Sequence, residues 1–461
     1  RRPRPGRARQ TWTLSPVGRS IRPGVSDPRY PEHPLSERIA GNDQSRQRGA
    51  LAVELRLADE AQRRVFATLN RHCSVARDPI GVGVSGGSDS LALLALANDW
   101  ANAEQRKLLV LTVDHGLRPE AADEAAAVAC RCQRIGISHE TLRWLPPGGT
   151  ATQAKARRAR HALLAGAVRD AGGSHLLLGH TEDDQVETVA MRQRNEASSS
   201  GLAGMRTISP SPIWPEGRGI ALVRPVLSET RQSLREFLSH KKWEWIDDPS
   251  NSNALYERVR VRAELAGDVE RRDALLDLAT KEDQKRKATA GRLAEWMTID
   301  LTCASDGTIR FDPGNLTGAD LAEALALLLM AAAGSDQRSA LRARQKLAED
   351  ILSRKLLAKT LGGAWIAPRQ GQIMIARDPG EAAKAPEINP DFEGVWDGRF
   401  QISRMRPEID PAQIWKPDDA ISPMARESVP RGLSSTQFAT CLVPARIQMT
   451  KYLLEQDSLP L

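Results

Sequence analysis

Five short segments of this 461-residue chain hold side chains of the types that phosphate and proton chemistry need. The first is Val82-Gly-Val-Ser85-Gly86-Gly87-Ser88-Asp89-Ser90, an apolar run that turns into a helical pattern. Two consecutive glycines let the backbone come close to an anion, and a helix N-terminus behind them adds N–H donors and dipole. Ser85, Ser88 and Ser90 add hydroxyls. It is not the Walker A pattern, because the lysine that reaches the β- and γ-phosphates is missing. The second segment is Asp114-His115, which reads either as a nucleotide contact or as strand-end residues capping a loop. The third, Arg157-Arg158-Ala-Arg160, is either a phosphate-binding patch or an ordinary solvated helix face. The fourth is His180-Thr-Glu-Asp183-Asp184-Gln-Val-Glu187. His180 and Asp184 lie four apart at a strand-to-helix junction, so both are expected to face one cleft, with Glu187 on the same helix face. A carboxylate there can hold Mg²⁺ on phosphates or take a proton from an incoming amine. The fifth is Arg258-Val-Arg260-Val-Arg262, whose arginines alternate and project one way if the segment is extended.

The first segment matches S-G-G-x-D-S, and the chain there resembles the PP-loop ATP pyrophosphatases. In those enzymes the loop grips the terminal pyrophosphate of ATP and leaves the α-phosphate open to attack by a substrate oxygen. Across residues 80–262 the order of further segments narrows the likeness. They are Leu111-Thr-Val-Asp114-His115-Gly116-Leu117-Arg118, Gln153 to Arg160, Gly179 to Thr188, Gly201-Leu-Ala-Gly-Met205, Arg224-Pro225, Asp248-Pro-Ser-Asn251 and the arginine run. Together they resemble the tRNA(Ile)-lysidine synthase family, with weaker similarity at Thr360-Leu-Gly-Gly363 and Val395-Trp-Asp-Gly-Arg399.

That resemblance implies an enzyme that uses ATP to adenylate O2 of the wobble cytidine in a minor isoleucine tRNA with a CAU anticodon. The ε-amine of L-lysine then attacks C2, releasing AMP and leaving lysidine. It implies ATP contacts from Ser85, Gly86, Gly87, Ser88, Asp89, Ser90, Asp114 and His115, and Mg²⁺ held with ATP by Asp89 and Asp184. Catalytic roles fall to His180, Asp184 and Arg260, and tRNA contacts to Arg157, Arg160, Arg258 and Arg262. Whether the enzyme is a homodimer stays open. Two departures stand out: Val259 replaces an Asn usual in the family's arginine run, and Arg194-Asn-Glu-Ala-Ser-Ser-Ser replaces an Arg-Gly-x-Gly stretch. The alternatives are a tRNA thiolase of the same superfamily and an inactive nucleotide-binding scaffold. A thiolase usually needs paired cysteines, and the five here (Cys73, Cys130, Cys132, Cys303, Cys441) include no C-x-x-C.

These segments need a scaffold that brings them together. Short β-rich runs at Ile80–Val84, Leu108–Val113, Ser138–Arg143 and His175–Gly179 alternate with helical patterns at Ser88–Ala101, Pro119–Ile135, Thr152–Ala171 and Asp183–Met191. An amphipathic helix over Leu51–Leu69 precedes them. Such alternation implies βαβ units in an α/β fold with a doubly wound parallel sheet, whose ligands bind at the carboxyl ends of the strands. The expected organisation is a disordered Arg/Pro-rich arm over 1–47 and a nucleotide-binding catalytic domain over 48–262. A mainly helical tRNA-binding domain over 263–360 and a smaller β-rich C-terminal domain over 361–461, also expected to bind tRNA, follow.

Charge and composition set the outer limits. The formal net charge is +7, yet residues 1–50 hold 11 arginines against four acids, so the remaining chain is neutral, with 54 basic and 54 acidic side chains. Basic surface on the body must therefore come from clustering. The arm reads either as an organelle transit peptide or as upstream sequence from a mis-set start. No apolar run reaches the roughly 18 residues that span a bilayer. An odd number of unpaired cysteines fits a reducing, cytoplasmic setting.

Overall fold

Apolar runs bounded by glycine and short enough to be strands form a six-stranded sheet in the computed structural model, which describes residues 60–116, 120–144, 153–195, 199–247, 255–389, 391–404, 430 and 437–458. The expected arm (1–47), Leu117-Arg118 and Asp248–Asn251 lie outside these residues. A helix over residues 60–73 (α1) leads into β1 (Ile80–Gly83), α2 (Ser88–Ala103), β2 (Leu108–Asp114), α3 (Glu120–Arg134), β3 (Ser138–Arg143), α4 (Gln153–Asp170), β4 (His175–Leu178) and α5 (Glu182–Arg194). The alternation expected from sequence is thus present nearly residue for residue. β1 and β4 are buried on both faces, as strands of a parallel sheet covered by helices must be.

The strand order is β3-β2-β1-β4-β6-β5. All neighbours are parallel except the edge pair β5 (Ile208–Pro210) and β6 (Ala221–Val223). The chain runs outward from β1 to β3, then crosses back to β4 on the other side of β1, so β1 and β4 flank the point where strand order reverses. Their register aligns Gly83 with Leu178, which puts both carboxyl ends at one edge. Residues 198–225, expected as a plain Ser/Gly/Pro-rich connection, instead carry α6 (Ser199–Leu202) and both edge strands. Leu222 and Val223 are almost fully buried beside β4, and that burial explains the strand.

Beyond the sheet come α7 (Arg231–His240), α8 (Glu257–Leu265) and the 31-residue α9 (Val269–Ile299), capped by the Asp268 side chain on the Arg271 N–H. The helical reading of the next region is interrupted by a hairpin, β7 (Leu301–Cys303) and β8 (Ile309–Phe311). These two strands join β9 (Lys359–Leu361), β10 (Ala364–Arg369) and β11 (Gln372–Arg377) in an antiparallel sheet ordered β7-β8-β11-β10-β9. Against it packs α10 (Gly318–Ala333), Leu- and Ala-rich, begun by a Thr317 cap and ended by Gly334 in the left-handed region. α11 (Leu341–Leu352), α12 (Pro379–Ala382) and a three-stranded sheet of β12 (Gly394–Trp396), β13 (Phe400–Arg404) and β14 (Gln437–Cys441) complete this half.

The C-terminal region is not only β-rich. Its last described element is a 16-residue helix, α13 (Val443–Ser458). Val443, Ile447 and Leu454 lie in the core shared with α10 and the antiparallel sheet, whereas Leu453 lies in the core of the parallel sheet, with Val65, Leu69 and Leu234. Among the described residues, no helix is long and apolar enough to cross a membrane. Leu453→Ala should therefore destabilise the nucleotide-binding half by about 2–5 kcal/mol, the usual cost of truncating a buried leucine. Urea unfolding followed by tryptophan fluorescence measures this; a loss under about 1 kcal/mol would remove α13 from that core.

Candidate active site

The turn from β1 into α2 has the geometry expected of an anion cradle. Gly86 sits at φ 88°, a conformation that side-chain-bearing residues rarely adopt. No side chain caps α2, whose N-cap is Gly87, so its first N–H groups keep their capacity for a ligand. The hydroxyls divide their work. Ser90 Oγ accepts from the Ser85 N–H at 3.1 Å and donates to the Gly87 carbonyl at 3.0 Å, which sets the shape of the loop. Ser88 Oγ donates to Asp89 Oδ1 at 3.0 Å, and Ser85 is exposed. The strand end beside the loop must be bare. A Cβ at Gly179 would stand 3.0 Å from the Asp89 carbonyl oxygen and 3.1 Å from Ser90 Cα. The end of β4 therefore touches the first turn of α2.

Just beyond Gly179, the β4–α5 junction supplies His180 and Asp184. His180 precedes the helix, and Thr181 is its N-cap, so helical spacing does not relate the two side chains. Asp184 closes a capping box: its Oδ2 accepts from the Thr181 N–H at 2.9 Å and from Thr181 Oγ1 at 3.2 Å. Its Oδ1 accepts from Arg258 at 3.1 Å and from Arg231 at 3.4 Å. Glu187, 3 % exposed, takes Arg258 Nε at 2.6 Å on one oxygen and Arg262 Nε at 2.7 Å on the other. Asp89 accepts from Arg231 Nε at 3.1 Å. One guanidinium thus joins the carboxylate of the phosphate loop to that of the β4–α5 junction.

The arginine run is helical, not extended, and this corrects the expectation that its three side chains project together. Val261 and Leu265 of α8 pack against Val186, Val189 and Ala190 of α5, and their burial selects a helix over the alternating pattern. Arg258 and Arg262, four apart, then share the face toward Glu187. Arg260 falls on another face, exposed, donating from Nη1 to the Leu255 carbonyl at 3.0 Å.

The remaining expected residues are spread around the cleft. Asp114 is buried; its Oδ1 accepts the Gly116 N–H at 2.8 Å and its Oδ2 lies 3.6 Å from Arg143 Nε, as a loop-capping carboxylate would. His115 meets Trp144 edge-on at 5.9 Å. On α4, Arg158 pairs with Asp336 of the C-terminal half, whereas Arg157 and Arg160 act electrostatically on His180.

Residues 57–269 match the family model of the PP-loop domain. The tRNA(Ile)-lysidine synthase of Hyphomonas neptunium is 42% identical over 66% of this chain and 84% of its own. That of Caulobacter vibrioides is 36% identical over 80% of this chain and 88% of its own. This chain belongs to the tRNA(Ile)-lysidine synthase family. Among solved structures, the U34-tRNA thiolase NcsA of Methanococcus maripaludis, with its [4Fe-4S] cluster, is 19% identical with a TM-score of 0.41, covering 50% of this chain and 79% of that one. At that level the likeness carries no functional argument. Burial pushes the thiols of Cys73 and Cys303 up to about 12 and those of Cys132 and Cys441 up to about 11.

Within this lysidine synthase family member, sequence reasoning missed three residues of the site. Arg231 bridges Asp89 and Asp184, and its main-chain N–H donates to Asp183 Oδ2 at 2.7 Å. Burial works against its charge, but Asp89 and Asp184 more than offset that, so it holds its proton more tightly than usual. The available signal was its place directly after the Thr230 helix cap. Arg224 belongs to the Arg224-Pro225 segment but nothing local gave it a role, and His161 carries no local signal. Arg224 is anchored on the Arg206 carbonyl at 2.8 Å and brings positive charge to both His161 and His180.

Burial and that charge together keep His180 neutral. Burial first, then Arg224, Arg157, Arg258 and Arg160, hold its imidazole well below the ordinary histidine value, and its Nδ1 is buried without a hydrogen-bond partner. Burial likewise lowers His161 to about 3, and His72 and His175 to about 4. These imidazoles are neutral when folded and charge on unfolding below about pH 6.5, so stability is full above that pH and is lost as pH falls toward 4. At pH 5.5 each of the three most buried, His72, His161 and His175, should cost about 1.4 kcal/mol. Urea unfolding at pH 7.5 and 5.5 should show this drop, and His161→Gln should make it shallower; a pH-independent midpoint would contradict buried neutral histidines.

Proposed function

We propose that this chain ligates L-lysine to C2 of the wobble cytidine of a minor isoleucine tRNA with a CAU anticodon, consuming ATP. It is a carbon–nitrogen-bond-forming ligase that modifies tRNA. The observation that carries the reading is the meeting of an uncapped α2 N-terminus with the His180–Asp184 junction at the switch point of the sheet. The loop N–H groups of Gly86 to Ser88 hold the β- and γ-phosphates. Binding there leaves the α-phosphorus facing β4, where the cytidine O2 attacks and pyrophosphate leaves. The lysine amine then attacks C2 and AMP leaves.

The residues of the junction do distinct work. His180 is assigned a catalytic contact with the reacting groups: its imidazole is neutral and its Nδ1 unpaired, so it can hydrogen-bond there without adding charge. Asp184, tied to Thr181, holds the junction rigid and the arginines in place. Arg157, Arg160, Arg258 and Arg262 present charge to tRNA phosphates. Asp89 and Asp184 have the hard-oxygen chemistry that Mg²⁺ prefers, and Mg²⁺ is commonly held by one or two carboxylates together with substrate phosphates. When bound, it would neutralise charge on the phosphates. The free cysteines suit a cytoplasmic enzyme.

Enzyme, ATP, labelled lysine and total tRNA should yield tRNA carrying lysidine, read by mass spectrometry of nucleosides. His180→Ala and Asp184→Asn should each lower turnover at least a hundredfold with unchanged circular dichroism. Arg260 tests the arginine run. If it meets ATP or the activated cytidine, Arg260→Lys stays badly impaired, because Lys loses the planar fork. Near-normal turnover in that variant, together with a salt slope reduced by about one unit in Arg260→Ala, would assign it to tRNA phosphate binding.

A further inference from the structure

The loop over residues 201–206 is held from both halves of the chain. From α5, the Gln185 side chain grips Met205 as a neighbouring strand would: Nε2 donates to the Met205 carbonyl at 2.9 Å, and Oε1 accepts its N–H at 2.6 Å. Arg192, also on α5, donates to the carbonyls of Gly201 at 2.7 Å and Gly204 at 3.0 Å. From α9, Arg286 donates to the same Gly204 carbonyl at 3.2 Å. Arg224 holds the Arg206 carbonyl. With Arg206 itself, four arginines converge on one short loop, and like charges so close need an anion between them.

That anion comes from the far end of the chain. Asp457, in the last turn of α13 and 251 positions from Arg206, takes Arg206 Nη1 at 2.6 Å and lies 3.8 Å from Arg286 Nε. It is 6 % exposed. Asp283 is a further partner of Arg286, one turn back on α9. The connection continues toward the chemistry. Asp457 fixes Arg206, the Arg206 main chain anchors Arg224, and Arg224 is the arginine that bears most on His180 after burial. Gln185 ties the same loop to the residue beside Asp184.

We infer that Asp457 is a positioning residue for tRNA modification: from the C-terminal helix it locks the 201–206 loop against α5 and so places the cationic wall of the His180 cleft. It acts through other residues and touches no reacting atom. The activity part of this inference rests on the proposed function; the loop part does not.

Asp457→Asn keeps the shape and an acceptor but removes the charge, Asp457→Glu keeps the charge, and Glu455→Gln on the exposed side of the same helix is the control. Hydrogen exchange read by mass spectrometry should show amides of residues 203–206 exchanging at least tenfold faster in Asp457→Asn, with β1 and α2 within twofold. In the same variant, ATP binding without tRNA should stay within twofold, while kcat for lysidine formation at saturating tRNA falls at least tenfold. Asp457→Glu should recover most of both losses, and Glu455→Gln should match the wild type. Unchanged loop exchange in Asp457→Asn overturns the inference, whatever reaction the enzyme performs. So does a faster loop with normal kcat. Accelerated exchange throughout the chain with lost ATP binding also overturns it, since that marks a purely structural carboxylate. A wild type that transfers no lysine sinks the proposed function instead, and loop exchange then decides the inference alone.

Discussion

Three carboxylates, Asp89, Asp184 and Glu187, and three arginines, Arg231, Arg258 and Arg262, alternate through the centre of this molecule, and the active cleft depends on that alternation. Each acid comes from the first two turns of α2 or α5, and each base from α7 or α8. Removing such groups from water singly is prohibitive, and even a pair scarcely compensates its own desolvation. A row in which each carboxylate touches at least one guanidinium, Asp184 two and Glu187 three, spreads that cost. It also fixes four helix ends relative to one another within hydrogen-bond tolerance. Burial still raises the pKa of Asp89 above its usual value, with Arg231 as the main counterweight.

Sheet topology determines what that row surrounds. β1 and β4 end at the same edge because they run parallel on either side of the point where strand order reverses, and Gly179 lets the end of β4 approach the first turn of α2 to backbone contact. The uncapped start of α2 faces a helix, α5, that is heavily capped by its own Thr181 and Asp184. One N-terminus keeps its donors for an anion, and the other uses them to hold side chains still. The difference between the two caps is the difference between a binding element and a positioning element.

The C-terminal half is welded to this arrangement rather than tethered. Leu453 enters the core of the parallel sheet, and Arg158 and Trp214 reach across to Asp336 and the Gly398 carbonyl. The Arg446 guanidinium lies 4.1 Å from the Trp214 ring. A rigid join between a nucleotide site and a distant surface suits an enzyme that must hold a large RNA while acting on one of its bases.

Much of the fold was legible because its signals are local. Glycine pairs, helix caps and apolar runs state their own conformations, so β3 over Ser138–Arg143 and α2 from Ser88 could be read without any neighbour. The phosphate loop was legible for the same reason: an anion cradle is built from consecutive residues. The arginine run was not. Arg-Val-Arg-Val-Arg carries a strand's period, and it became a helix only because Val261 and Leu265 found a hydrophobic seat on α5. The α13 helix and its Asp457 were equally silent, since their meaning lies in partners some 250 positions away. The partners of Arg231 and Arg224 are set only when folding brings them beside buried acids and imidazoles. The sequence by itself determined the elements from β1 to α5, the anion loop and the family. Only tertiary packing decided which charges meet, because burial makes electrostatic pairing strong and burial belongs to the whole fold.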